Sequence, residues 1–239
     1  MASNNEFTAS AHMRDIGKAS PPMAHYGSKY LEKKLWKRQE LSLRDRSIVT
    51  LSSLIARNDQ TEIVHYLNIA LDNGVEPDEI SEILAHLSFY AGWPNASAAA
   101  FICSMVFQER NVQPEQLSGG KVKSLPLDIN GENHRRTAVK SNFGEVSPGV
   151  VKYTTEALFT DLWLRPGLAP RDRSLVTICA LITNGQVAQV TYHLGRAMDN
   201  GLTKEQMQEV LTQLAFYAGW PCIFLAMPFV KDVFESRGI

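Results

Sequence analysis

Apolar residues recur along this chain at helical spacing. Ile80, Ile83, Leu84, Leu87 and Ala91 follow an i, i+3, i+4, i+7 course, the stripe of a helix with one buried face. Gly92 ends that stripe and Pro94 opens a further helix out to Arg110, because glycine stops a helix and proline suits a first turn. Upstream, residues 46–56 read as one helix, preceded by Ser42 and Asp45 in a capping-box arrangement. Another begins near Gln60 and stops at Gly74, which follows Asn73 as a C-cap glycine. An earlier amphipathic helix over residues 24–36 packs Leu31, Leu35 and Trp36. No segment reads convincingly as a strand, so the pattern predicts an all-α chain.

The pattern occurs twice. An offset of 127 positions aligns 20–112 with 147–239 without a gap, and a little over a third of the aligned positions are identical. Arg44-Asp45-Arg46-Ser47 recurs as Arg171-Asp172-Arg173-Ser174, and Asp72-Asn73-Gly74 as Asp199-Asn200-Gly201. Phe89-Tyr90-Ala91-Gly92-Trp93-Pro94 recurs at 216–221. In the second copy Pro170 takes the first helical position, and Thr203 with Gln206 forms a capping box. Each repeat therefore holds about five helices, and two such units are expected to pack about a pseudo-twofold axis. Residues 113–146 form a polar linker carrying Ser118-Gly119-Gly120 and Asn130-Gly131, both turn signals. It is long for a loop and reads as a surface crossover. Residues 1–19 read as a similar arm, with no apolar run of the signal-peptide kind.

Composition narrows the possible partners. The chain is 44% hydrophobic and 21% charged with a formal net charge of -1, so the basic footprint of a nucleic-acid binder is missing. Two uncharged stretches, 87–107 and 214–230, approach bilayer length, but Gly-Trp-Pro interrupts each near its start. They read as paired buried half-segments and not as membrane spans. Cys103, Cys179 and Cys222 are scattered and in no C-x-x-C pair, which argues against a disulfide scaffold, a zinc site or a dithiol centre. A reducing, cytoplasmic setting is the simplest expectation.

Polar residues on otherwise apolar helices mark the candidate chemistry. Glu62, His65, Tyr66 and Ile69 share one helix side, and Gln189, Tyr192, His193 and Arg196 stand at the same places in the second copy. On the following helix, Glu82, His86 and Tyr90 are spaced i, i+4, i+8, matched by Glu209, Gln213 and Tyr217. Carboxylate, imidazole and phenol on facing helices make a workable proton-transfer set. Equally, Glu82 and Tyr90, present in both copies, could serve only to satisfy buried polar groups. Arg46 and Arg173 either bind a substrate carboxylate or form structural salt bridges. Trp93 and Trp220, each after a glycine at a helix break, either wall a pocket or fill the core.

Arg-Asp-Arg-Ser-x-Val-Thr, then His193 eight residues before Gly201, then Phe-Tyr-Ala-Gly-Trp-Pro, resembles the carboxymuconolactone decarboxylase family. The resemblance implies the all-helical fold of the alkylhydroperoxidase AhpD and ring-like trimers or hexamers of units. For a tandem chain that means a homo-oligomer, with a homotrimer expected. It also implies two chemistries. The peroxidase branch needs a Cys-x-x-Cys pair just before the family histidine, and neither 186–193 nor 59–66 contains a cysteine. The decarboxylase branch needs no thiol: a small carboxylated lactone loses carbon dioxide, its carbonyl accepts the electron pair, and no cofactor is required. Carried over by position, His193 matches the family histidine, Glu62 the glutamate four residues earlier, and His86 a histidine on the next helix. The first copy has Tyr66 in place of His193, and the second has Gln189 and Gln213 in place of Glu62 and His86. The expectation is a cofactor-independent lyase acting on a small carboxylated lactone or a related enolisable acid, with His193, His86 and Glu62 catalytic in acid–base proton transfer. Tyr66, Tyr90, Trp93, Tyr217, Trp220, Arg46 and Arg173 are expected around the substrate. Two other readings stay open: a peroxidase-like reductase lacking the usual cysteine pair, and a non-catalytic oligomer that binds small molecules.

Overall fold

The computed structural model describes residues 10–239, and among them there are twelve α-helices and no strand. The first nine residues of the expected arm lie outside the described residues. The rest of the arm forms α1 (Ala11–Ala19), capped by Ser10.

Two helices make the centre. In α3 (Leu43–Ala56) every residue from Asp45 to Ala56 is buried, and in α9 (Pro170–Thr183) every residue from Asp172 to Thr183 is buried. Burial on all sides would be costly for their serines and threonines, but the hydroxyls bond back into their own helix. Ser52 donates to the Ile48 carbonyl at 2.7 Å and Thr177 to that of Arg173 at 2.9 Å. These small side chains let α3 and α9 pack directly together, and Thr183 Oγ1 donates to Ser53 Oγ at 3.1 Å across the junction. The junction is the pseudo-twofold centre.

Around α3 run α4 (Ile63–Asp72), α5 (Pro77–Tyr90) and α6 (Trp93–Glu109); around α9 run α10 (Val190–Asp199), α11 (Lys204–Tyr217) and α12 (Trp220–Ser236). The decisive feature is a crossing. Helix α5 of the first repeat packs on α9 of the second, and α11 packs on α3. Buried ion pairs fix both crossings: Glu82 accepts from Arg173 and Arg165 at 2.6 Å each, and Glu209 from Arg46 and Arg38 at 2.7 Å each. At the helix starts Arg44 reaches Asp172 at 2.8 Å and Arg171 reaches Asp45 at 2.5 Å, joining the repeats again.

Two segments differ from the sequence expectation. The helix expected over 24–36 is broken into α2 (Pro21–Tyr26), a π-helical turn (Gly27–Glu32) and a 3-10 turn (Leu35–Lys37). After the wider turn Leu35 is buried and Trp36 Nε1 donates to Tyr217 Oη at 2.8 Å. The second repeat copies the break in α8 (Pro148–Tyr153), the π turn Thr154–Phe159 and the 3-10 turn Leu162–Leu164. The linker, expected as an irregular crossover, carries α7 (Ile129–Phe143). Asn130-Gly131 lies in its first turn, where Asp128 caps the helix by accepting from the Gly131 N–H at 3.1 Å.

Candidate functional site

The crossing of α5 and α11 builds two equivalent positions, each taking side chains from both repeats. In the first, α5 supplies His86 and Tyr90, α9 supplies Thr177, α10 supplies His193, and the 3-10 turn supplies Trp163. His86 is fully buried and stacks on Tyr90, with ring centroids 4.8 Å apart, while its other neighbour Trp163 meets it edge-on at 5.0 Å. His193 stacks on Trp163 at 5.8 Å and meets Tyr90 edge-on at 5.4 Å. Trp163 Nε1 donates to Tyr90 Oη at 2.9 Å, which leaves the phenol proton free to be donated elsewhere.

The hydrogen-bond network assigns the His86 tautomer. Thr177 has one proton and gives it to a carbonyl, so it accepts from His86 Nε2 at 2.7 Å. His86 Nδ1 then carries a lone pair, and it is buried with no partner. His193 Nδ1, Arg173 Nη1 and Arg135 Nη1 are also buried and unpartnered. Only two further such atoms, Ser28 Oγ and Arg46 Nε, occur elsewhere among the described residues. Unpaired buried polar atoms cost about 1–3 kcal/mol each, so their clustering around one position marks a place built to receive polar atoms.

Electrostatics keep both imidazoles neutral. Burial lowers the proton affinity of His86 well below the ordinary histidine value, and the charges of Arg173 and Arg196 add to it. Burial, then Arg196, lowers that of His193 to about 4. Burial also raises the Tyr90 phenol above its ordinary value. The position is flanked by a cleft of about 1150 Å³ between α10 and the linker helix, lined by Trp163, Phe159, Tyr192, Arg196 and Arg135.

The second position repeats the geometry with different chemistry. Gln213 replaces His86 and joins Arg46 to Thr50: Arg46 Nη1 donates to its Oε1 at 2.9 Å, and its Nε2 donates to Thr50 at 3.0 Å. Tyr66 replaces His193 and meets Tyr217 edge-on at 5.1 Å, and burial pushes its phenol up to about 12. Ile69 and Glu32 stand where Arg196 and Phe159 stand in the first. Helix α1 covers this position: His12 stacks on His65 at 4.1 Å and pairs with Glu62 at 3.0 Å. Its polar groups largely satisfy one another.

The structure thus brings His86, His193 and Tyr90 together and leaves Glu62 out. Helix spacing placed Glu62 and His86 in one copy, but α5 turns away from α4 of its own repeat toward α9 and α10 of the other. Tyr66 and Tyr217 lie with each other in the second position. Arg46 and Arg173 are fully buried and held by Glu209 and Glu82, which leaves only Arg46 Nε and Arg173 Nη1 of the two guanidinium groups without a partner. Trp93 and Trp220 are 67% and 51% exposed beside Phe89 and Phe216, and neither walls the composite position nor fills the core. Trp163, Thr177, Phe159 and Arg135 escaped the sequence reading. Trp163 left a signal in its identity with Trp36, and Arg196 in its replacement of Ile69 on the histidine side of the helix. Two of the thiols are unsuited to peroxide chemistry, since burial pushes Cys103 up to about 12 and raises Cys179 further; Cys222 lies near Arg57, outside the cluster and without a partner cysteine. Among the described residues no helix is long and apolar enough to cross a membrane.

Comparison with known proteins adds sequence relationships. The profile of the Carboxymuconolactone decarboxylase family matches twice, over residues 21–103 and 148–232. The chain is 30% identical over 112 residues to the 4-carboxymuconolactone decarboxylase of Acinetobacter baylyi, covering 47% of this chain and 83% of that one. It is 29% identical over 100 residues to the nitrosuccinic acid decarboxylase of Metarhizium robertsii, covering 42% of this chain and 69% of that one. A crystal structure from Burkholderia xenovorans, assigned as a gamma-carboxymuconolactone decarboxylase subunit, superposes with a TM-score of 0.57 at 17% identity, over 96% of this chain and 93% of that one. At that identity the last likeness speaks for the fold alone.

Proposed function

The chain belongs to the carboxymuconolactone decarboxylase family, and from that premise we propose that it is a cofactor-independent carboxy-lyase working at the composite position of His86, Tyr90 and His193. Family membership and two relatives named as decarboxylases support a decarboxylase-like function acting on a small carboxylated molecule. The observation that carries the assignment to this position is its cluster of unpaired buried polar atoms around two neutral imidazoles.

The reaction asks three things of the protein. As the carbon–carboxyl bond breaks, carbon dioxide leaves and its electron pair moves into an adjacent carbonyl, which becomes an enolate. The Tyr90 hydroxyl, whose oxygen is already held by Trp163, donates to that developing oxyanion, an interaction that strengthens as charge accumulates. A proton from solvent must then reach the carbon. His193 carries it: burial and Arg196 keep the imidazole neutral, and a bound carboxylate offsets Arg196 and raises its proton affinity. The imidazolium gives its proton to carbon and returns to neutral. His86, anchored on Thr177 through Nε2, presents its Nδ1 lone pair and orients substrate or solvent.

The second position is, on this reading, structural, and each chain carries one working site. We take the assembly to be a homo-oligomer, with a trimer of tandem chains favoured; exposed Trp93, Phe89, Trp220, Phe216 and Phe224 supply apolar surface for it. Incubation of the purified protein with 4-carboxymuconolactone, following carbon dioxide release, tests the reaction. Turnover is expected to fall about 100-fold or more in His193→Ala, as for loss of a general acid. No release above background from an intact oligomer would remove that substrate.

A further inference from the structure

We propose that the linker helix is part of the active site: Arg135 of α7 and Arg196 of α10 together form a seat for a carboxylate of the ligand. The inference rests on the composite position being the working site, and it assigns a role to a segment that has no copy in the repeat.

Two parallel rings hold the two guanidinium groups. Phe159 and Trp163 stack 5.9 Å apart with planes 4° from parallel. The Arg135 guanidinium lies 4.1 Å over Phe159, and that of Arg196 lies 4.3 Å over Trp163 and 5.7 Å from Phe159. A cation held over an aromatic face loses little further freedom when it binds an anion. Arg135 is also fixed by Glu132, to which its Nε and Nη2 donate at 2.8 and 2.6 Å, and by Thr155 at 3.3 Å. Its remaining nitrogen, Nη1, is buried and has no partner. The Arg196 guanidinium has no hydrogen-bond partner among the described residues, and its charge is felt by His86, Tyr90 and His193. It therefore stands next to the groups assigned to the chemistry.

The acidic residues on the cleft wall are already engaged. Glu132 is held by Arg135, Asp199 accepts from Arg237 at 2.8 Å, and Asp128 caps α7. The Arg196 charge is left without a counter-anion, and a guanidinium matches a carboxylate in shape as well as charge. The other composite position has no such seat: Ile69 and Glu32 occupy the places of Arg196 and Phe159, and α1 covers it with the contact between His12 and Glu62.

The test is equilibrium binding of succinate to the full-length protein by titration calorimetry, with uncharged succinamide as control. Succinate is expected to bind and succinamide not. Arg196→Gln and Arg135→Gln should each weaken succinate at least tenfold, with Arg135→Lys recovering part of the loss. On any carboxylated substrate that is turned over, KM should rise in Arg135→Gln while kcat changes little. Should Arg135→Gln loosen the linker helix, exposed Ala138 on the same cleft wall offers a milder route. Ala138→Glu should bind succinate more weakly than Ala138→Gln at low salt, and less so at high salt. Wild-type affinity in Arg135→Gln, or equal binding by the two Ala138 variants, overturns the seat. Arginine-dependent succinate binding without any lyase turnover keeps the seat and overturns the reaction; turnover in Arg135→Gln with KM unchanged from the wild type does the reverse.

Discussion

His86 and His193 are imidazoles that fold into places where carrying charge is expensive, first because they are buried and then because arginines stand nearby. The unfolded chain binds these protons near pH 6.5, while the native His193 does so only at about 4. The native state thus binds fewer protons between those values, and stability must rise with pH across them. The contribution is complete above pH 6.5 and is lost as pH falls toward 4. Urea midpoints measured from pH 7 to pH 4 should decline over that window, and His193→Asn should make the decline shallower. Glu82 shows the opposite balance. Burial raises its pKa, but the bonds from Arg165 and Arg173 outweigh burial and lower it overall. Glu82→Gln leaves Arg173 buried without a counter-charge and should cost about 3–5 kcal/mol in a denaturant melt. At this scale the histidines were legible because each is polar on an apolar helix and differs from its repeat partner. Glu62 misled because side-chain spacing shows which residues share a helix face, but not which helix that face meets.

The corner between α5 and α6 shows how strictly a sequence can dictate an element boundary. Gly92 has φ 92° and ψ 147°, and Gly219, its copy, has φ 89° and ψ 148°. Only glycine adopts this backbone readily, so a side chain there costs of order 1–3 kcal/mol. Gly92→Ala should lower the melting temperature by several degrees, and a melting temperature equal to the wild type would contradict the strain argument. Glycine and proline punctuation made this corner readable. The same signals misread the linker, because Asn130-Gly131 belongs to the first turn of α7, where its donors are satisfied by Asp128. The broken segment 24–36 was read as one helix because a π turn keeps apolar spacing close to that of a helix.

At the scale of the molecule, neither repeat supplies all the side chains of either composite position. The crossing of α5 and α11 spreads each composite position over both halves, and α3 and α9 are each enclosed partly by the other repeat. The duplication itself was plain in the sequence. Which helices would trade partners was not, since that depends on faces meeting across a centre that no linear spacing encodes. If only the histidine-bearing position binds ligand, calorimetric titration with a bound carboxylate should return one site per chain; two equal sites would contradict the asymmetry of His193 against Tyr66. The covalent connection has a further meaning. A pair of identical single-repeat chains has two equivalent sites, so any substitution falls on both and any cover must be supplied twice. Joining the units end to end ends that constraint. The linker exists once and lies over one site, while the N-terminal arm lies over the other. From that point the two positions can differ: one carries the imidazoles His86 and His193, while the other carries the amide of Gln213 and the phenol of Tyr66 in their places. The peptide chain between the repeats is thus the element that breaks the symmetry and leaves the two positions free to differ.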